Sequence, residues 1–191
     1  MQSLGQIKKS VRKKFKTKEY MDRYHHIIGV VKMAKHLAKL YGVDKRKAEI
    51  AALLHDFCKY DSLEQQRGLI TEQDITECEK YPVLYHSYAS AEYYRKYVGN
   101  DEDIYLAIRN HVFGRLSMSH LEEIILISDY TEKNRKYANC VACREILLSG
   151  KFYKAIYEST KFTIAFIEKK GLEPHPLQLE VLKYYEGLCE L

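Results

Sequence analysis

His55 and Asp56 stand side by side at the end of an apolar run, Ala51-Ala52-Leu53-Leu54, and are followed by Phe57, Cys58 and Lys59. An imidazole and a carboxylate where a buried helix ends are costly unless something binds both, because buried polar and charged groups need partners. A metal ion answers that need, since neutral imidazole and carboxylate are both good ligands for divalent first-row metals. A His-Asp pair also arises on surfaces as a plain ion pair. The metal reading therefore requires further ligands brought to the same place.

The chain offers them. Between Tyr24 and Tyr41, His26, Val30, Met33, Leu37 and Leu40 recur at three- and four-residue steps, which puts His26 on the inward face of a helix. Gly42 is expected to close that helix in the left-handed conformation, and Asp44 to cap the next one. The second helix carries Ala48, Ala51, Ala52 and His55 on its inner side, so two antiparallel helices with a short turn bring His26 to His55 and Asp56. Further on, Leu121, Ile124, Ile125 and Ile127 precede Asp129, and the four-residue step from Ile125 gives Asp129 a buried face. Ser119, with Glu122 three residues later, has the pattern of a capping box at the start of that helix. His86 and His111 lie between.

The order of a lone His, a His-Asp pair and a distal Asp resembles the HD-domain superfamily of metal-dependent phosphohydrolases. Arg23-x-x-His26-x-x-Gly29-Val30, Ala51-Ala52-Leu53-Leu54-His55-Asp56-x-x-Lys59, His86, His111-x-x-Gly114-Arg115 with Met118-Ser119, and Asp129-Tyr130 with Arg135 resemble, more closely, the YqeK-type bacterial family. The resemblance runs from about residue 6 to about residue 185. It implies an all-α HD-domain helical bundle and symmetrical hydrolysis of diadenosine tetraphosphate to two ADP. It implies His26, His55, Asp56 and Asp129 as metal ligands, with His86 and His111 either holding a second ion or acting beside Asp56 and Lys59 as catalytic groups. Iron is the metal implied, one or two ions, with manganese or another divalent metal as a substitute. Substrate contacts are implied at Arg23, at Asp56, Phe57, Cys58 and Lys59, at His86 and His111, at Asp129 and Arg135, and late in the chain at His175 and Pro176. The chain departs from the family at His25, an additional imidazole, at Ser128 in place of Ala, at Lys133 in place of Pro, and at Leu177-Gln178.

Phosphoanhydride cleavage explains why such residues would be needed. Coordination lowers the pKa of water from 15.7 to about 7, so a metal-activated hydroxide is available near neutral pH to attack a central phosphate. Cations beside the metal must neutralise the polyphosphate in the transition state. Lys59 follows Asp56 by three residues, Arg135 follows Asp129 by six, and Arg23 precedes His26 by one helical turn. An arginine fork suits bidentate phosphate contact, whereas lysine acts as a point charge.

The rest of the sequence describes the frame. Its 191 residues, with three prolines and nine glycines, leave little room for linkers. One HD-type domain is expected over 1–191, with a basic N-terminal helix over about 3–20 and C-terminal helices over about 150–190. The apolar runs at 123–127 and 162–167 are short enough for strands, but they lie inside longer helical windows and read as helix. No apolar run approaches the roughly 20 residues that span a bilayer, so no membrane partner is expected. The N-terminus lacks the apolar core of a signal peptide. Five cysteines, an odd count, fit a reducing cytoplasm better than a disulfide framework. Cys140-x-x-Cys143 lacks a companion pair and reads as two helix-packed thiols.

The net charge of +5 sits at the N-terminus, where Lys8, Lys9, Arg12, Lys13, Lys14, Lys16 and Lys18 face only Glu19. Such a stripe can meet RNA, ribosomes or membrane phosphates. The plainer reading is the solvated face of an amphipathic helix with Leu4, Ile7, Val11 and Phe15 inward. Two other functions stay open: an HD-type phosphohydrolase of another nucleotide, and a nucleotide- or RNA-binding metalloprotein without turnover. A homodimer is also left open.

Overall fold

In the computed structural model, which describes residues 1–189, the chain is helical throughout, with one 3-10 turn at Pro82–Leu84 and no strand among those residues. Residue 190, at the end of the expected C-terminal helical region, and residue 191 lie outside the described residues. The first helix, α1 (Leu4–Phe15), starts at a Ser3 capping box and buries Ile7, Val11 and Phe15. It is shorter than the sequence predicts. After Phe15 the next inward positions are Lys18 and Glu19, so no apolar side chain holds another turn against the core. Two of its lysines are tied to the body of the protein, Lys8 to Glu49 at 2.6 Å and Lys14 to Asp61 at 2.6 Å.

Helix α2 (Met21–Leu40) buries His26, Ile27, Val30, Ala34 and Leu37. Leu40, expected on the same face, is exposed, because the last turn runs past the core and Ala38 is the final fully buried residue. Gly42 then takes φ +69° and the Val43 N–H donates to the Ala38 carbonyl at 2.9 Å, a left-handed helix end as expected. Helix α3 (Lys45–Leu54) begins at Asp44, whose carboxylate accepts from the Arg46 and Lys47 N–H groups. It packs along α2.

The chain continues through α4 (Leu63–Arg67), α5 (Glu72–Lys80), α6 (Tyr85–Tyr97) and α7 (Glu102–Arg109) to α8 (His120–Thr131), α9 (Ala138–Leu148), α10 (Phe152–Lys169) and α11 (Pro176–Cys189). Helix α8 is the central element, packed against α2, α3, α7 and α10, and it buries Leu121, Ile124, Ile125 and Ile127 almost completely. Each such side chain contributes roughly 1.5–3 kcal/mol. That burial holds a helix whose far end carries Asp129 and Glu132 into the interior. Both ambiguous apolar runs lie inside helices, α8 and α10. Ser119 caps α8 in a box with Glu122. One apolar cluster runs from Ile7 on α1 to Tyr185 on α11. Cys58, Cys78, Cys140 and Cys143 are buried, unbridged thiols. Among the described residues no helix is long and apolar enough to cross a membrane.

Candidate metal and phosphate site

His26 comes from the second turn of α2, His55 ends α3, Asp56 opens the turn that follows, and Asp129 lies in the last turn of α8. His26 Nε2 is 3.0 Å from Asp129 Oδ1 and 3.7 Å from Asp56 Oδ2. His55 Nε2 is 3.4 Å from Asp56 Oδ2 and 3.9 Å from Asp129 Oδ1. The four residues read from the sequence as ligands therefore converge. The other oxygen of Asp56 faces elsewhere: Oδ1 is 3.1 Å from His86 Nε2 and 3.7 Å from His111 Nε2. Asp56 divides its two oxygens between two pairs of imidazoles.

The outer ring nitrogens decide which lone pairs point inward. His55 Nδ1 lies 2.8 Å from the Ala52 carbonyl and His111 Nδ1 lies 2.7 Å from the Ile108 carbonyl. A carbonyl only accepts, so in each ring Nδ1 carries the proton and Nε2 presents a lone pair. His26 Nδ1 does the same toward Glu132 Oε1 at 3.3 Å. His26 Nε2 and His55 Nε2 are buried without a hydrogen-bond partner. Lone pairs facing carboxylate oxygens in a buried site are unfavourable as they stand, and a cation satisfies both. Ligand atoms of His26, His55 and Asp129, and of His55, Asp56 and His111, each lie within 4.8 Å of one another. Separations of 3.0–3.9 Å suit ligands sharing one ion bonded at roughly 2.0–2.2 Å. Nitrogen and oxygen donors without sulfur fit a divalent transition metal.

Burial acts to raise the Asp56 pKa, but His55, His111 and His86 outweigh it and hold the carboxylate well below its usual range. Asp129 behaves likewise: burial is opposed by Arg135 and His26, and the group stays ionised. His86 is pushed down to about 4 by burial. His55 is also shifted down by burial. His26 moves the other way, because Asp129 and Glu132 overcome its burial.

Three cations frame these ligands. Arg23 Nη1 is 2.5 Å from Asp56 Oδ2. Arg135 donates from Nε to the Asp129 carbonyl at 2.6 Å and from Nη2 to Asp129 Oδ1 at 2.7 Å. Lys59 Nζ is 3.3 and 3.2 Å from the two ring nitrogens of His86. All three border a cavity of about 320 Å³ together with Asp56, His86, His111 and Asp129. Its other walls are apolar at Val83, Phe113 and Leu126, and polar at Ser159, Thr160 and Gln178.

Some expected contacts are not brought together. In the turn after His55, Asp56 and Lys59 face the cavity while the two residues between them face the core. Phe57 stacks on Tyr93 with ring centroids 4.4 Å apart. Cys58 is fully buried and its N–H donates to Ser90 Oγ. His175 lies behind the cavity wall, against Tyr81 at 4.3 Å and Phe113 at 5.1 Å, and Pro176 starts α11. The late segment reaches the cavity through Gln178 instead, at a point where the chain departs from the family pattern. His25 and His36 are exposed, and His120 pairs with Glu123 at 2.7 Å away from the ligands.

Sequence reasoning missed Glu132, which orients His26, and Arg144. The latter, on α9, donates to the carbonyls of Thr131, Glu132 and Arg135 at 2.6, 2.6 and 2.7 Å and so fixes the loop bearing Arg135. It also missed Ser159, Thr160 and Gln178. Helical periodicity marks a face as inward but not as bordering a cavity.

The chain matches the HD domain family over residues 23–134. It is 42% identical over 174 residues to a Halalkalibacterium halodurans protein named bis(5'-nucleosyl)-tetraphosphatase, symmetrical, spanning 87% of this chain and 88% of that one. A Bacillus subtilis protein of the same name is 35% identical over 157 residues, spanning 81% of this chain and 84% of its own. A Clostridium acetobutylicum crystal structure, described as a predicted HD superfamily hydrolase involved in NAD metabolism, matches with a TM-score of 0.85 at 31% identity. That match covers 98% of this chain and 99% of the other.

Proposed function

We propose that this chain, which belongs to the HD-domain family and to its symmetrical bis(5'-nucleosyl)-tetraphosphatases, hydrolyses diadenosine tetraphosphate at the central anhydride. One water enters, the middle P–O–P linkage opens, and two ADP leave. The observation that carries the reading is the division of the Asp56 oxygens between two pairs of histidines, with Arg23, Lys59 and Arg135 bordering the same cavity.

His26, His55, Asp56 and Asp129 would hold a divalent metal, and His86 with His111 a second one through Asp56. When bound, such a metal supplies Lewis-acid polarisation of a phosphoryl oxygen and a hydroxide nucleophile near neutral pH. By resemblance to the family we assign iron, with manganese as a substitute. The protein's own groups bind and orient. Arg23 and Arg135 are each already held by a carboxylate, so their remaining N–H groups are pre-aimed at phosphate oxygens. Lys59 adds a point charge beside His86. His86, neutral at pH 7, can take a proton from water or pass one to the leaving phosphate. Ser159 and Thr160, whose hydroxyls donate to the Ile156 carbonyl, are left to accept from a ribose or base edge, and the Gln178 amide nitrogen is left to donate. The unbridged buried thiols are consistent with a reducing cytoplasm.

The test is product analysis with purified protein, together with metal analysis. ADP as sole product, with activity abolished by a chelator, is the expected result. ATP plus AMP would show a different cut site. Turnover confined to other nucleotides would move the chain to another HD-type activity.

A further inference from the structure

Arg23 and Arg135 have two sides. One side borders the cavity already described. The other borders a second cavity of about 440 Å³, which also meets His26 and its partner Glu132 and extends to Tyr60 and Tyr137. Both cavities thus open from the same ligand cluster and share the same two guanidinium groups. The function proposed above, on which this inference rests, makes no use of the second one.

A substrate cut in its middle has two chemically identical arms, each with two phosphates, a ribose and a base. We infer that the second cavity is the subsite for the other arm, a nucleoside 5'-diphosphate whose phosphates lie on Arg23 and Arg135 and whose base stacks on Tyr137 and Tyr60.

The residues that line the cavity fit that occupant. Cations sit at the shared wall, where the phosphates must be. Asp22, also on the lining, is able to accept from ribose hydroxyls, and Glu132 is already engaged with His26. Aromatic rings complete the lining. Tyr137 is 75% exposed and Tyr60 46% exposed, large faces left in solvent at a cavity edge. Tyr60 is held in place, stacked on Tyr20 with centroids 4.7 Å apart and planes 21° apart and with the Arg23 guanidinium 5.8 Å from its ring centroid, so Tyr137 offers the more open face. Ring faces of this kind take purine bases by stacking. Tyr137 stands at the start of α9 without a side-chain capping bond, so the helix does not need its hydroxyl.

Calorimetric titration of the manganese-loaded protein with ADP tests the subsite count. Two ADP per chain are expected, and one for Tyr137→Ala. The second measurement is the ratio of kcat/KM for diadenosine tetraphosphate to that for adenosine 5'-tetraphosphate, which carries a single nucleoside. Tyr137→Ala should lower that ratio about tenfold, within the range for losing one base–aromatic stack, and Tyr137→Phe should restore it. A single ADP on the wild-type chain, or a ratio that Tyr137→Ala leaves unmoved, overturns the inference. Absence of ADP from wild-type turnover would instead overturn the tetraphosphatase reading, while the titration still counts subsites.

Discussion

The two oxygens of Asp56 face unlike surroundings. Around Oδ2, both histidines are locked from outside: His55 by the Ala52 carbonyl, and His26 by Glu132, itself only 1% exposed. Around Oδ1, His111 is locked by the Ile108 carbonyl, but His86 is held by Lys59, a group that can only donate. The His86 Nε2 also meets Asp56 Oδ1 at 3.1 Å and His111 Nε2 at 3.3 Å, so its proton is placed by groups of the site itself and not by a backbone carbonyl behind it. One flank is therefore built to present lone pairs that cannot turn away, and the other includes a ring that can change its proton. Pre-organised ligands hold an ion, and an unlocked imidazole suits proton transfer.

Asp56→Ala attacks both flanks at once and should have the largest effect. Its expected loss is about 10⁴-fold in kcat/KM, about 5 kcal/mol, with metal content falling toward zero. Metal analysis alongside steady-state kinetics checks it. A variant that keeps its metal and most of its rate would mean that the flanks do not depend on their shared carboxylate.

His86→Ala and His55→Ala separate the flanks. His55→Ala should lose the metal. His86→Ala should retain the ion on the Oδ2 side and lose about 10³-fold in kcat, within the span of general acid–base contributions. If both variants lose metal equally, the contrast between the flanks is broken and His86 is simply another ligand.

In the metal-free protein the unlocked ring also has a signature in stability. His86 titrates near 4 in the fold and near 6.5 when unfolded, so between those values only the unfolded chain takes the proton. Its contribution is complete above pH 6.5 and is lost as pH falls toward 4, a loss of about 3 kcal/mol at 1.36 kcal/mol per pH unit. His55, shifted down by burial, acts in the same direction, and His26, shifted up, acts in the opposite one above pH 6.5. Urea unfolding at pH 7, 5.5 and 4.5 should show a flatter decline for His86→Gln than for the wild type. Parallel declines would mean that the ring is not buried neutral.

The locked flank was the legible one. His26, His55 and Asp129 stand at helical spacing from apolar residues, so periodicity alone assigns them an inward face, and the helices form where Gly42, Asp44 and Ser119 predict. The turn after α3 has no such period. Nothing local distinguishes Phe57 and Cys58, which face the core, from Asp56 and Lys59, which face the cavity. Leu40 shows the corresponding problem at a helix end, where tertiary support stops before the pattern does. Glu132 was invisible for another reason. An acidic residue just past a helix reads as solvent-facing, and it is buried only because α2, more than a hundred positions earlier, presents a residue with no side chain.

That residue is Gly29, and it gives the smallest and most selective test. A Cβ added there would overlap the Glu132 carboxylate and come within 2.9 Å of Asn134 Nδ2. Glu132 can yield only by giving up His26 Nδ1 or the Asn134 N–H, which it accepts at 2.7 Å. Two effects oppose each other in Gly29→Ala. Alanine in a helix interior is favoured over glycine by roughly 0.5–1 kcal/mol, which offsets the displaced contact, so unfolding of the metal-free protein should shift by less than about 1 kcal/mol. Metal affinity has no such offset and should fall about tenfold, the low end for losing a partner behind a ligating histidine. Glu132→Ala should match that fall, and Glu132→Gln, which keeps an acceptor oxygen for His26, should fall less. Unaltered affinity in Gly29→Ala beside a clear loss in Glu132→Ala would mean that the carboxylate finds another route to His26, and that the locked flank tolerates more movement than its packing implies.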